Sequence, residues 1–311
     1  MKAKVGLRLW LCFLSCLILV GVSSTTLAAT YVSGEITQNT TWTPAGSPYI
    51  VTGDITVRHS EYAPASDYIN MGRLATLTIE PGVEVRFNSG TGLYIGKARD
   101  NNWDWWGALK AQGTAEAPIV FTSNASSPAP GDWKGIYFNS YIDDATTILQ
   151  HCVVEYGGHT HRANLFVLHA SPIIKNSRIQ RSSVNGIAVF GNSNPVIGEE
   201  NAGNSISGNG TYGVYVFDVT PSPRIRFNIL AGNGSYPMRV RAASDLQGNT
   251  ILDNGIQAVE LLGENVTSST VWRNLSVPYV VTGDITVRHS EYAPASDYLN
   301  WGRLATLTIE P

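Results

Sequence analysis

Short runs of alternating apolar and polar residues dominate the chain after residue 30, and they predict β-strands. In ATLTIEPGVEVRF (75–87) the apolar residues stand at every second position, as they do in GALKAQGTAEAPIVFTS (107–123). Side chains of a strand point alternately to its two faces, so this spacing gives each strand one buried face. No long stretch shows apolar residues at helical spacing. We therefore predict an all-β fold.

The second half of the chain repeats a strand and a turn every 21–27 residues. This period is too short for a propeller blade, which needs about 40–45 residues, and it suits one coil of a solenoid whose equivalent strands stack in parallel. Asparagine tolerates tight turns, and stacked asparagines can hydrogen bond to one another. We predict such a ladder at the four Asn-Gly pairs of this region, at Asn185, Asn209, Asn233 and Asn254.

A second, longer repeat is almost exact. Residues 48–81 return at 278–311 with three differences in 34 positions. Long-period self-similarity indicates an array of units. We predict a β-helix unit at 30–277, followed by the truncated start of a second tandem unit at 278–311. A recombination scar or an artefact at the gene end is the alternative.

The first 29 residues have the pattern of a secretory signal peptide. A charged start precedes the apolar run LWLCFLSCLILVGV, and small residues follow it. Its removal would change the formal charge from −3 to −6 and leave Cys152 as the one cysteine. We predict a secreted or cell-surface protein that is stabilised by packing, with no disulfide, no transmembrane segment in the mature chain and no nucleic-acid partner.

The succession PYIVTGDITV, LTIEPGVEVRF, GALKAQGTAEAPIVFTS and GDWKGIYF resembles the exported bacterial right-handed parallel β-helix repeat proteins of the pectin-lyase-like fold. The resemblance covers nearly all of 36–311. It implies a right-handed parallel β-helix, and carbohydrate binding or sugar hydrolysis as the common functions. That fold also carries lyases, epimerases, adhesins and passive surface proteins. Residues 58–73 interrupt the pattern, so we expect a loop there.

Catalytic and metal-binding patterns are weak. Asp143-Asp144 and Glu199-Glu200 lie between strand segments, where paired acids are usually solvated. His159 and His161 follow two glycines, which favours a turn over a metal site. We predict no catalytic residue, no metal and no cofactor.

Aromatic residues suggest a binding surface instead. Trp103, Trp105 and Trp106 stand in NNWDWWGALK, and Tyr62 and Tyr68 lie in the 58–73 insertion. Tryptophan combines a large apolar face with a polar tip, which suits sugar rings, although these residues could instead cover the core. We predict a noncatalytic module that binds polysaccharide or a cell-surface glycan. A polysaccharide lyase, hydrolase or epimerase, and a structural spacer or adhesin stalk, remain the alternatives.

Overall fold

A computed structural model describes residues 28–59, 74–100, 103–160, 162–219, 222–288 and 305–311. Almost all regular structure in these ranges is β-strand, with one 3-10 turn at Pro44–Gly46. The strands wind into a right-handed parallel β-helix, which confirms the predicted fold class. None of the helical structure in the described ranges has the length and apolar character needed to cross a membrane.

Each coil of the helix contributes strands to three parallel stacks. The first strand, β1 (Thr30–Ile36), pairs with both ends of β3 (Tyr49–Val57), because β3 turns a corner between two stacks. The third stack contains β2 (Thr40–Trp42), β4 (Ala75–Ile79), β9 (Gly107–Gln112), β12 (Ile148–Gln150), β15 (Ile173–Lys175), β18 (Val196–Ile197) and β21 (Arg224–Ile225).

The first two stacks begin on the two ends of β3. The first contains residues 49–51, β5 (Glu84–Phe87), β10 (Ile119–Ser123), β13 (Cys152–Glu155), β16 (Arg178–Gln180), β19 (Ser205–Ser207), β22 (Ile229–Ala231) and β24 (Thr250–Leu252). The second contains residues 55–57, β6 (Leu93–Ile95), β11 (Ile136–Phe138), β14 (Ala163–Leu168), β17 (Asn185–Gly191), β20 (Val214–Val219), β23 (Met238–Arg241) and β25 (Val259–Leu262).

The core is a column of apolar rows, one for each stack. In the first stack the paired inward residues are Val85, Phe121, Val154, Ile179, Ile206, Leu230 and Ile251, and all are buried. Full burial of one such side chain contributes roughly 1.5–3 kcal/mol. Cys152 is also buried, and burial raises the pKa of its thiol to about 12, so it acts as a small apolar core residue.

One asparagine ladder crosses three coils at the corner between the first and second stacks. The Nδ2 of Asn209 donates to the Oδ1 of Asn233 at 2.9 Å, and the Nδ2 of Asn233 donates to the Oδ1 of Asn254 at 2.8 Å. The prediction for Asn185 was wrong. The ladder continues to Ser182, whose backbone N–H donates to the Oδ1 of Asn209. The reason is that Asn185 opens its strand directly, whereas the ladder asparagines stand five residues before theirs.

A second ladder lies at the corner that leads into the first stack. The Nδ2 of Asn204 donates to the Oδ1 of Asn228 at 2.9 Å, and that of Asn228 donates to Asn249 at 3.1 Å. In both ladders the residue before a ladder position often has a left-handed backbone, as at Phe227 (φ 56°) and Gly232 (φ 62°). At these positions the sharp corner therefore precedes the ladder residue, and the glycine that follows an asparagine does not make it.

The second copy stacks on the coil before it. β28 (Tyr279–Val281) pairs with β25, β29 (Ile285–Val287) pairs with β26 (Glu264–Val266), and β30 (Leu307–Ile309) pairs with β27 (Thr270–Trp272). β29 and β30 use the register of the first copy, since Trp272 opposes Ile309 as Trp42 opposes Ile79. The end of the chain thus repeats the geometry of its beginning.

Candidate functional site

An aromatic strip runs along the outer face of the second stack. The outward residues Tyr94, Tyr137 and Phe166 are neighbours in adjacent strands, and the Tyr137 and Phe166 rings stack at 5.0 Å. Phe166 stacks on Phe190 at 5.0 Å, and Phe190 contacts Tyr215 at 5.9 Å. The complete strip consists of Tyr94, Tyr137, Phe166, Phe190, Tyr212, Tyr215, Phe217 and Tyr236.

A single small residue opens a groove in this strip. Ala188 lies between Phe166 and Tyr215 in the strand register, at a position that is aromatic in four other coils. Its methyl group leaves a depression of about 400 Å³, with Phe166, Phe190 and Tyr215 in its walls. The groove therefore lies where Ala188, whose side chain is buried, interrupts the aromatic row.

Polar groups line one side of the groove. Thr160, Arg162 and Thr211 come from the corners that precede the strands of the second stack, and Asn185 is the first residue of β17. Asn185 is held in place there, since its Oδ1 accepts a hydrogen bond from the backbone N–H of Tyr212. A few fixed polar groups beside aromatic walls are the usual composition of a site for small polar molecules.

The groove borders a cluster of Tyr212, Arg239 and Glu260. The Tyr212 hydroxyl donates to Glu260 Oε2 at 3.0 Å, and the Arg239 guanidinium lies 5.3 Å from the Tyr215 ring. Burial, together with the hydrogen bond to Glu260, raises the pKa of Tyr212 to about 12. The phenol is therefore a protonated donor at neutral pH and unsuited to act as a base.

A second charged cluster marks the other end of the strip. Lys134 Nζ donates to Asp54 Oδ2 at 2.7 Å and lies 5.9 Å from the Tyr94 ring centroid. The hydrogen bond to Asp54 raises the pKa of Lys134, and burial raises the pKa of Tyr94. A cation therefore lies over an aromatic ring near each end of the strip: Lys134 over Tyr94, and Arg239 over Tyr215.

The aromatic residues predicted from the sequence lie elsewhere or outside the described structure. Trp103 and Trp105 belong to β8 (Trp103–Trp105), which forms an antiparallel hairpin with β7 (Lys97–Asp100). Trp106 is partly buried and packs edge-on against Tyr141 at 5.7 Å. Tyr62 and Tyr68 lie outside the described residues.

One of the two acidic pairs forms hydrogen bonds within turns, and the other is exposed. Asp144 accepts a hydrogen bond from the backbone N–H of Ser171 at 2.6 Å, and Asp143 accepts one from the Thr146 hydroxyl. Burial raises the pKa of Asp144. Glu199 and Glu200 are exposed.

The histidine pair adds no metal site in the described part of the chain. His159 Nδ1 contacts the Thr160 hydroxyl at 3.2 Å, and His161 lies outside the described residues. Among the side chains the structure describes, no three metal-ligating groups converge.

The aromatic strip has only a faint signal in the sequence. Its members alternate with core residues in the strings LFVL, IAVF and GVYVF, where each aromatic ring takes the outward position. They stand far apart along the chain and meet only when the coil register is known. The glycan-binding surface was predicted in the tryptophan-rich segment because its aromatic residues are close together in the sequence.

Comparison with known families agrees with this architecture. Residues 49–191 match the family described as "Pectate-lyase like beta helix domain". The chain therefore has the pectin-lyase-like β-helix fold, which confirms the resemblance found in its sequence. A comparison with curated proteins gives no match.

Solved structures give only distant matches. A double mutant of the periplasmic alginate epimerase AlgG is 10% identical, and the match covers 90% of this chain and 75% of that one with a TM-score of 0.30. AlgG itself is 10% identical, with coverages of 82% and 76% and a TM-score of 0.28. Similarity at this level carries no argument about activity.

Proposed function

We propose that this protein is a noncatalytic β-helix module that binds a glycan in the groove of the aromatic strip. The observation that carries the proposal is the groove at Ala188, which is walled by Phe166, Phe190 and Tyr215 and edged by polar groups. Sugar rings have apolar faces that pack on aromatic rings and hydroxyls that need hydrogen-bond partners. The strip offers both on a rigid surface.

Rigidity favours such a role. The walls belong to strands that are paired on both sides, at β14, β17 and β20. A binding surface that is already ordered loses little entropy when a ligand binds. A long strip that crosses several coils matches an extended polymer better than a compact metabolite.

The charged groups beside the groove support binding over catalysis. Glu260 is engaged by Tyr212 and lies 3.5 Å from Arg239. On the first stack, Glu155 accepts hydrogen bonds from Thr122 and Gln180 and contacts Arg181. Carboxylates held in this way stabilise the surface, whereas acid catalysis needs a carboxyl group that can reach substrate.

We also propose that the protein is exported and works outside the cytoplasm. The support is the charged and apolar sequence at its start, which has the order of a secretory signal. Exposure to external polysaccharide would then give the aromatic strip its ligand. Mass spectrometry of the purified protein tests this, and a chain that retains its first 29 residues in the membrane fraction would contradict it.

Affinity electrophoresis in gels that contain polygalacturonate, alginate, xylan or hydroxyethyl cellulose tests glycan binding. We expect at least one glycan to retard the protein. Phe190→Ala and Tyr215→Ala should each weaken that retardation about tenfold, as loss of a central aromatic contact does in other interfaces. Tyr31→Ala is the matched control, because Tyr31 is exposed and lies on β1, away from the strip.

A substitution that fills the groove tests whether the glycan binds in the groove or on the rest of the strip. Ala188→Phe adds a ring to the row and closes the depression, so we expect it to abolish retardation if the fold is retained by circular dichroism. Stronger retardation would place binding on the flat strip instead. Loss of retardation in Trp106→Ala, with no effect of Phe190→Ala, would move the site to the hairpin.

The same glycans test the enzymatic alternative. We expect no unsaturated or reducing ends from polygalacturonate or alginate, with or without calcium. Sustained turnover that disappears in Glu260→Gln would replace the binding proposal with a catalytic one.

A further inference from the structure

Three of the four asparagines that precede a glycine in the second half use their side-chain amides completely. The Nδ2 of Asn209 donates to the carbonyl of Ile179 and to the Oδ1 of Asn233. The Nδ2 atoms of Asn233 and Asn254 also each donate to two or more oxygens. Because an amide nitrogen carries two hydrogens, these three side chains have no donor left for a ligand.

The fourth, Asn185, has an amide nitrogen without such a partner. Its Oδ1 accepts the backbone N–H of Tyr212 at 3.4 Å, whereas its Nδ2 has no hydrogen-bond acceptor among the residues that the structure describes. A backbone N–H can only donate, so the amide oxygen faces Tyr212 and the NH₂ group points away from it. Asn185 is only 7% exposed and lines the groove. Buried polar groups nearly always have a partner, so this free donor needs an explanation.

The strand pairing fixes this amide beside the aromatic wall. The backbone N–H of Asn185 donates to the carbonyl of Arg162 at 3.0 Å, and the next N–H, that of Gly186, donates to the carbonyl of Tyr212 at 2.9 Å. Asn185 also belongs to β17, the strand that carries the groove residue Phe190. The donor and the wall therefore have a set separation before any ligand binds, which is the arrangement that a selective site needs.

We infer that Asn185 is the specificity-determining residue of the groove, and that its Nδ2 donates to one oxygen substituent of a sugar ring packed against Phe190 and Tyr215. The inference rests on the proposed glycan binding. Aromatic walls accept the apolar face of many sugars, so they supply affinity with little selectivity. A sugar that lacks the oxygen leaves a buried donor unpaired, and sites of this kind reject such analogues strongly.

No carboxylate lines the groove, and this favours an acceptor on the ligand. The nitrogen donors among the lining side chains are those of Asn185 and Arg162, and Arg162 is exposed at the rim. Asn185 is therefore the buried donor of the groove lining, and it distinguishes sugars by the presence and orientation of one oxygen.

Asn185→Asp tests the inference with almost no change of shape. The variant keeps an oxygen for the N–H of Tyr212 and replaces the donating NH₂ group by an acceptor. In affinity electrophoresis with the glycan that retards the wild-type protein, we expect retardation to weaken about tenfold or more. Asn192→Asp is the matched control, because it makes the same change at an exposed position in the turn after β17 and should leave retardation unchanged.

Asn185→Ala removes the donor without adding a charge, and it should give a similar loss with an unchanged circular dichroism spectrum. Equal retardation of the wild-type protein and both Asn185 variants would overturn the inference, as would an equal loss in Asn192→Asp. If no glycan retards the wild-type protein, the proposed function itself fails, and this inference fails with it.

NMR of the side-chain amides gives a readout that a purely structural role would not move. The Asn185 NH₂ signals are assigned by their disappearance in Asn185→Asp. An oligosaccharide that relieves the retardation should shift these signals, while those of the ladder residues Asn209, Asn233 and Asn254 stay in place. A bound oligosaccharide that leaves the Asn185 signals unmoved would show that this amide does not contact the ligand, and the inference would be wrong.

Discussion

The two copies of residues 48–81 present almost the same sequence in two surroundings. In the first copy Trp42 stacks on Tyr49, with ring centroids 4.7 Å apart and planes within 11°. The corresponding rings of Trp272 and Tyr279 are 5.6 Å apart and tilted by 35°. Trp42 and Trp272 share one register, but the tyrosine strands differ by one residue, since Tyr49 pairs with Thr30 whereas Tyr279 pairs with Val259 and not with Glu260, the counterpart of Thr30.

This comparison separates two roles of the alternating pattern. The pattern decides which side chains face the column, and both copies obey it. The following coil decides how far those side chains are removed from water, and only the first copy has one in the described structure. Because apolar burial drives folding in proportion to buried area, identical segments should differ in their contribution to stability.

The largest expected effect is a matched pair of truncations. Ile79→Ala should lower the free energy of unfolding by about 2–5 kcal/mol, because it opens a cavity in a fully packed column. Ile309→Ala should change it by less than about 0.5 kcal/mol, because that side chain is already exposed. Urea denaturation followed by circular dichroism measures both values. Similar losses for the two variants would show that the last coil is as well covered as the second.

The fold could be predicted from the sequence because its signals are local. In each strand the alternation of apolar and polar residues identifies the inward face, and the 21–27-residue period shows how the strands recur. Those two facts define a stack of parallel strands without any knowledge of long-range contacts. The near-exact repeat at 278–311 indicates an array of units, and the division of the chain at residue 277 stays a prediction.

The candidate site could not be predicted in the same way. Phe166 and Phe190 are 24 residues apart, and only the paired register brings their rings to 5.0 Å. The groove depends on the small size of Ala188, a residue that carries no chemical signal by itself. The second ladder was missed because Asn204, Asn228 and Asn249 are not followed by glycine.

The second ladder tests whether coils in the middle of the column depend on both neighbours. Asn228 accepts hydrogen bonds from the N–H and Nδ2 of Asn204 and donates to Ile197 and Asn249. Asn228→Ala should cost about 1–3 kcal/mol, because it leaves buried donors without acceptors. Asn192→Ala is the control, since Asn192 is exposed in the turn that follows β17. A loss for Asn228→Ala no larger than that of the control would show that the ladder is dispensable.

A smaller effect is expected for a contact made just before the second copy begins. Trp272 Nε1 donates to the carbonyl of Ala242 at 2.9 Å and so ties the last turns to the preceding coil. Trp272→Phe keeps an aromatic ring and removes this bond, which should cost about 0.5–1.5 kcal/mol. Faster hydrogen exchange confined to 264–288 would locate the loss at this junction. An unchanged exchange pattern would show that Trp272 does not hold the copy in place.

The smallest expected effect concerns an ion pair that the first copy cannot form. Arg273 Nη1 donates to Glu310 Oε1 at 2.6 Å, whereas the corresponding residue of the first copy is Thr43. The hydrogen bond from Arg273 lowers the pKa of Glu310. A lowered folded-state pKa stabilises the protein above the unfolded value of about 4.3, and this contribution disappears as the pH falls through the folded value.

Arg273→Gln should therefore raise the pKa of Glu310 towards its ordinary value, as measured by NMR titration of its carboxyl carbon. Any difference in stability between the two proteins should be present at pH 6 and vanish in strong acid. It should also shrink in high salt, because the pair lies at the surface. If the titration of Glu310 is unchanged in Arg273→Gln, the ion pair does not help to hold the second copy on the preceding coil, and the backbone N–H of Asn274 accounts for the lowered pKa of Glu310.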